Sequence, residues 1–213
     1  MLLIRWLKIK LMTEPIFSKM SVKLIGTYGC DLLISEVAGI STEIKNKDDR
    51  HIEKRIKFII DNGHDALEEF GDLHFEIKAP LFTALQWVRH RMSSFNMQSG
   101  RRTKMFKFYI PNGREDVSKK ACEIIKSHCY ECIETYDKLI ELKTPLEIAR
   151  VVLPQNIMTK FHYKANLRSI LNFLKLRNDL HAQWEIQQLA KEIEKEVKRK
   201  FPLVYKYWSI KNR

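Results

Sequence analysis

The sequence predicts an α+β subunit, with a mixed or antiparallel sheet flanked by helices. Segments of helical period outnumber those of strand period, and the two kinds do not alternate as a parallel α/β sheet requires. A chain of 213 residues, 45% hydrophobic and 10% aromatic, suits one packed domain or one subunit of an assembly. Residues 22–213 are expected to form that domain, with residues 1–21 an N-terminal extension whose start is ragged.

In chain order, SVKLIG (21–26) reads as a strand followed by a polar connection. Ile52, Ile56, Ile59 and Ile60 fall at helical spacing, and Asn62-Gly63 supplies a left-handed stop. HFEIKA (74–79) alternates like a strand. Pro80 stands where a first helical residue is welcome, so LFTALQWVRHRM (81–92) is predicted as a helix. Its apolar face would be Leu81, Ala84, Leu85, Val88 and Met92, while Gln86, Arg89 and His90 would share another. A polar loop, the short strand MFKFYI (105–110) and the turn PNG follow. A long helix is expected over 115–142, its stripe being Val117, Ala121, Ile124, His128, Cys132, Tyr136 and Leu139. Thr144 to Glu147 has the pattern of a capping box, with Pro145 at the first helical position of LEIARVVL. MTKFHYKA (158–165) alternates as a strand, and Asn166 is placed to cap LRSILNFLKLR. A last helix contains Trp184, Leu189, Ile193 and Val197.

Composition narrows the function classes. Seven Gly and six Pro exclude a low-complexity or disordered chain. Apolar runs stop short of the roughly 20 residues of a membrane-spanning helix. MLLIRWLKIK lacks the uncharged centre and cleavage site of a secretory signal, so the expected location is the cytoplasm. A net charge of +12 raises nucleic acid as a partner, yet two thirds of the excess lies in residues 1–10 and 191–213. A dedicated nucleic-acid site is not expected. Cys122, Cys129, Cys132 and His128 resemble a metal cluster, but zinc takes four ligands, often from two turns, whereas these share one amphipathic helix. No metal site is expected, and these cysteines read as packing residues.

The stretch from Arg89 to Arg102, RHRMSSFNMQSGRR, holds four arginines and a histidine in fourteen residues without one acid. Guanidinium offers paired donors to phosphate oxygens, and the glycine lets backbone approach a ligand closely. A second set lies downstream: Arg150, Asn166, Arg168, Asn172 and Arg177. Asparagine suits the edge of a flat heterocycle. Two separated donor clusters point to more than one phosphorylated ligand.

Arg89-His90-Arg91 followed by seven residues and Ser99, extended through Ser94, Asn96 and Arg101, is similar to the signature of flavin-dependent thymidylate synthases. GHDALEEF, HFEIKAPLFTALQW, ARVVLP and NLRSILNFLKLRNDLHAQWEIQQ resemble that family too, in order, over residues 22 to 205. The resemblance implies conversion of dUMP to dTMP, with 5,10-methylenetetrahydrofolate as carbon donor and NADPH reducing a bound FAD. It also implies a homotetramer whose active sites are shared among subunits. Carried over position by position, it gives Ala66, Arg89, His90, Arg91, Met97, Asn166, Leu167, Arg168 and Asn172 as cofactor contacts. Gln86, Trp87, Val88, Arg89, Met97, Gln98, Ser99, Gly100, Arg101, Arg150 and Arg177 become nucleotide contacts. Arg177 becomes the catalytic residue that activates the uracil. A guanidinium, with a pKa above about 12, stays charged and can stabilise an ionised ring nitrogen, so no cysteine nucleophile is required.

Gly39, Ala66, Phe70, Met97 and Arg102 depart from residues usual in that family. Two alternatives therefore stand beside the enzyme. One is a catalytically impaired member that keeps flavin or nucleotide. The other is a basic nucleic-acid-binding protein, disfavoured because Phe95 is the motif's one aromatic for stacking on bases.

Overall fold

The computed structural model describes residues 16–41, 48–101, 103 and 106–212. The expectations for residues 1–15, Arg102 and Met105 lie outside them. The chain forms strands β1 (Ile16–Phe17) and β2 (Ser21–Tyr28), then helices α1 (Asp31–Ile40) and α2 (Asp49–Asp61). A 3₁₀ turn over Asp65–Phe70 leads into β3 (Asp72–Pro80) and α3 (Leu81–Trp87). Next come β4 (Ser94–Met97), β5 (Lys107–Phe108), α4 (Lys119–Glu141), α5 (Leu146–Ala149) and a 3₁₀ turn over Arg150–Val152. The chain ends with β6 (Met158–Asn166), α6 (Leu167–Arg177), α7 (Trp184–Lys200) and α8 (Pro202–Lys211). A four-stranded sheet has the order β2-β3-β6-β4, and β1 pairs with β5 in parallel. The class is α+β, as expected. Among the described residues no helix is long and apolar enough to cross a membrane.

The chain divides into two units, each sewn from several stretches. The first takes residues up to 20, 78–86 and 97–161. Its core gathers Phe106, Phe108, Cys129, Ile133, Tyr136, Ala149 and Ile157, with Phe106 edge-on to Tyr136 at 5.3 Å. Helix α4 begins where the Ser118 hydroxyl accepts from the Ala121 N–H at 3.1 Å. Its buried face is Cys122, Cys129, Cys132, Ile133 and Tyr136, whereas Ile124 is 62% exposed and His128 is exposed. The expected stripe is therefore rotated. Cys132 and Tyr136 belong to both candidate stripes, so period alone does not fix the phase. The three helix cysteines are buried and free, and burial raises the thiols of Cys129 and Cys132. Helix α5 starts at Leu146 with Pro145 at the cap, so Thr144 lies one place too early for the capping box. LEIARVVL is one α-turn followed by a 3₁₀ turn.

The second unit comprises residues 21–77, 87–96 and 162–213. The Asp48 carboxylate caps α2 by accepting from the His51 N–H at 2.8 Å. Gly63 ends the same helix with φ of +69°, the left-handed stop read from Asn62-Gly63. Asn166 Oδ1 accepts from the Ser169 N–H at 2.9 Å and starts α6, again as expected. Helix α1 replaces the expected polar connection. Gly29 makes the turn into it with φ of +83°, and a Cβ there would sit 2.6 Å from the Phe70 carbonyl oxygen. Helix α8 was also unforeseen; the buried Asp31 carboxylate caps it, accepting from Leu203 N–H at 2.7 Å and Val204 N–H at 3.2 Å.

Candidate active site

Helix α3 ends at Trp87, so Arg89, His90 and Arg91 lie beyond it rather than on its face. Pro80 closes β3 instead of opening the helix. The predicted apolar stripe also fails at its end, since Leu85, Val88 and Met92 are exposed. Aromatic packing sets where the chain turns. Trp87 is fully buried and stacks on Phe173 with ring centroids 4.6 Å apart. His90 meets the same Phe173 edge-on at 4.9 Å, and Phe95 on β4 stacks on Tyr163 at 5.3 Å. The Ser93 hydroxyl donates to the His90 carbonyl, bracing the loop between. These contacts anchor residues 87–95 against β6 and α6.

The second unit holds a cleft of about 1110 Å³. Arg89, His90, Arg91, Asn166, Arg168, Asn172 and Arg177 all line it, joining residues far apart in the chain. Arg177 Nε donates to His90 Nε2 at 3.0 Å, so the imidazole is the acceptor and carries its proton on Nδ1. Burial, then the charges of Arg177 and Arg89, hold His90 down at about 4. Arg177 is itself lowered, first by burial and then by Arg89. Six cations (three being Arg91, Lys175 and Lys211) face three carboxyls, Asp65, Glu68 and Glu69. Arg168 is held by Glu69 at 2.7 Å, whereas Arg89 and Arg91 have no carboxylate partner among the described residues. An anion entering this cleft meets a wall with an excess of cations.

Other expected positions differ. Leu167 is fully buried, and its N–H donates to the Gly71 carbonyl at 2.7 Å. Trp87 is likewise buried, so both could offer a ligand only main chain. Ala66 is exposed on the 3₁₀ turn but does not line the cleft; its neighbours Asp65, Glu68 and Glu69 do. Gln86 and Val88 flank Trp87, Gln86 half-buried and Val88 exposed.

The first unit gathers the rest of the nucleotide set. Met97 closes β4, and Gln98 N–H donates to the Lys160 carbonyl at 2.8 Å. The Ser99 hydroxyl accepts from Arg101 N–H at 3.3 Å, and Thr103 donates to the Ser99 carbonyl at 2.8 Å, folding Ser99-Gly100-Arg101 into a self-braced turn. Arg101 Nε reaches the Glu147 carboxylate at 2.9 Å, while Arg150 Nε donates to the Glu147 carbonyl at 3.3 Å. Glu147 thus gathers both arginines, a role sequence reasoning missed. Also missed were Glu68, Glu69, Tyr163, Trp208 and Lys211 in the cleft. The unpatterned acids of DALEEF, so close to a signature rich in arginine, were the available signal. Among the described residues no cluster of His, Cys, Asp or Glu could hold a metal. His181 lies before α7, so no helical pairing with Glu185 forms.

Residues 23–203 match the family model described as thymidylate synthase complementing protein. The flavin-dependent thymidylate synthase of Thermotoga neapolitana is 39% identical over 200 residues, covering 91% of this chain and 93% of its own. The chain belongs to the flavin-dependent thymidylate synthase family. Another relative of that name, from Pseudothermotoga lettingae, is 36% identical over 203 residues, spanning 91% of this chain and 92% of its own. A crystal structure of the UMP/dUMP methylase PolB from Streptomyces cacaoi, bound with 5-Br dUMP, superposes with a TM-score of 0.85. It covers 92% of this chain and 97% of the other at 24% identity, a likeness of fold. The family's match takes in the whole arginine-rich stretch of sequence, the 3₁₀ turn over Asp65–Phe70 and helix α6. Of the departures from the family's usual residues, Gly39 is buried in α1 and Phe70 is exposed at the end of that 3₁₀ turn.

Proposed function

We propose that this chain is an FAD-dependent thymidylate synthase, reductively methylating dUMP to dTMP with 5,10-methylenetetrahydrofolate as carbon donor and NADPH as reductant. The observation that carries this reading is the join of Arg89, His90 and Arg177 in a cationic cleft, within a chain of that family. The cleft is slightly larger than the usual small-ligand site, and its uncompensated guanidiniums suit a pyrophosphate. In this reading Arg89, His90, Arg91, Asn166, Arg168 and Asn172 hold FAD, with main chain at Leu167 and a contact at Ala66. Gln86, Trp87, Val88, Arg89, Met97 to Arg101, Arg150 and Arg177 receive dUMP, Met97 also touching the flavin. Bound FAD supplies electrons, taken from NADPH, that reduce the transferred carbon.

The protein's part is positioning and electrostatics. Because Arg177 gives its Nε–H to His90, its two terminal nitrogens remain for the uracil edge. A guanidinium presented there stabilises negative charge on the ring, which makes C5 nucleophilic. His90 can hold Arg177 this way only while neutral, and its depressed pKa keeps it so. We further place the reaction in the cytoplasm and in a homotetramer.

The test is an absorbance spectrum of protein mixed with FAD, followed by anaerobic NADPH with and without dUMP. The expected result is a bound flavin that bleaches with NADPH, and a dTMP product once the folate is added. Bound flavin without dTMP would leave a catalytically impaired member; absence of flavin binding would remove the reading.

A further inference from the structure

We infer that Glu68 is a ligand-reading carboxyl of the cleft, which in its neutral form donates a hydrogen bond to an acceptor on the bound flavin dinucleotide. The inference rests on the proposed function for the identity of that ligand. Glu68 sits on the 3₁₀ turn over Asp65–Phe70, is 4% exposed, and lines the cleft with Asn172 and Arg177. Its carboxyl makes no hydrogen bond or ion pair with any described residue. A buried carboxylate without a partner is costly, and such a group protonates or finds one.

The charged groups around it do not remove that cost. Asp65, on its own turn, opposes ionisation, and Glu69 adds a third carboxyl to the cleft wall. Arg168 on α6 and Lys211 on α8 favour ionisation, but Arg168 is engaged by Glu69 and Lys211 donates to the Ile60 carbonyl. Helices α1 and α2 pack on the same turn and bring no charge that acts on it. Burial is the largest influence and pushes Glu68 up to about 7. Near neutral pH it is therefore substantially protonated, one O–H donor on the cleft wall that meets no acceptor among the described residues. A flavin dinucleotide carries carbonyl and phosphate oxygens that would accept. An ionised Glu68 has no donor and repels the phosphates.

The linkage has a definite sign. A ligand that prefers the neutral carboxyl binds fully below about pH 7 and loses up to tenfold in affinity per pH unit above it. His90, held near 4, does not titrate in that window. The experiment measures the Kd for FAD, from its fluorescence, between pH 6 and 9 in the wild type, Glu68→Gln and Glu68→Leu. Melting curves at both ends of the range establish that each protein is folded. The wild type should weaken as pH rises, while Glu68→Gln, which keeps an N–H donor, should hold the wild-type pH 6 affinity throughout. Glu68→Leu should be flat with pH and about two- to tenfold weaker than Glu68→Gln. If the leucine variant is unfolded, the wild type and Glu68→Gln decide alone. The same pH step in Glu68→Gln, or a wild type that binds FAD without any step, would overturn the inference and leave the function reading intact. A wild type that binds no FAD at any pH would overturn both.

Discussion

Arg177 carries the most chemistry per residue in the cleft, and its geometry dictates what its loss should do. Its Nε–H is committed to His90, so truncation removes the uracil-facing nitrogens and frees the imidazole together. Arg177→Ala should keep FAD, which has its own contacts, yet lose about 10²-fold or more in dTMP formation. Flavin absorbance and product assay on one sample check this, and unchanged turnover would remove Arg177 from its assigned role. Arg177→Lys should not restore activity, because an ammonium cannot hold His90 through one nitrogen and present two more in a plane. His90 makes a second prediction. Held at about 4 by burial and two guanidiniums, its ring should show no NMR titration between about pH 5.5 and 8. A folded pKa below the ordinary value means the unfolded chain takes up the proton first. Stability from this group should therefore fall as pH drops from about 6.5 toward 4.

At the scale of elements, α8 shows how a remote residue can reach the cleft. Trp208, Lys211 and Asn212 line it, yet the helix is anchored at its start by Asp31, 172 residues earlier. Asp31→Ala leaves two N–H groups of the first turn without their acceptor. The expected cost is about 1–2 kcal/mol, read as a fall in Tm of about 2–4 °C for each kcal/mol in a chain of this size. Unchanged melting would show that α8 is held by packing alone. That pairing was illegible in the sequence, because Asp31 and Leu203 are linked by tertiary structure and not by spacing. Local signals were read well: Asn166 as a cap, Gly63 as a stop, β3 and β6 from alternation. Errors came where tertiary packing overrides period. Trp87 buries itself against Phe173 and α3 ends there, so Arg89 and His90 lie in the turn beyond it rather than on a helical face. Ser94–Met97 reads as polar loop, but a place at the edge of the sheet makes it strand. The site followed the same division. Motif arginines were legible, and the acids that engage or oppose them, Glu69, Glu147 and Glu68, were not, since carboxyl placement depends on which turns meet.

For the whole molecule, charge and apolar exposure point to different kinds of contact. Of the eight cations in residues 191–213, three pair within helix α7: Lys195 with Glu192, Lys198 with Glu194 and Arg199 with Glu196. Apolar side chains, by contrast, stand uncovered in the protomer, with Leu180 90% and Met92 77% exposed. Leu176, half exposed, lines the cleft itself, as does Met92. Scattered exposed leucines are ordinary, but apolar groups at the mouth of a cationic site are better placed to meet another subunit than water. A homotetramer that covered such groups would also exclude water beside Arg177, where a drier setting would strengthen its hold on ring charge. Four copies of a 25.3 kDa chain should sediment at about 101 kDa. Because apolar burial would hold them, the mass should not fall when salt is raised to about 0.5 M, where exposed ion pairs are screened. A species of one chain's mass that still forms dTMP at the full rate would show that the protomer needs no partner to complete its site.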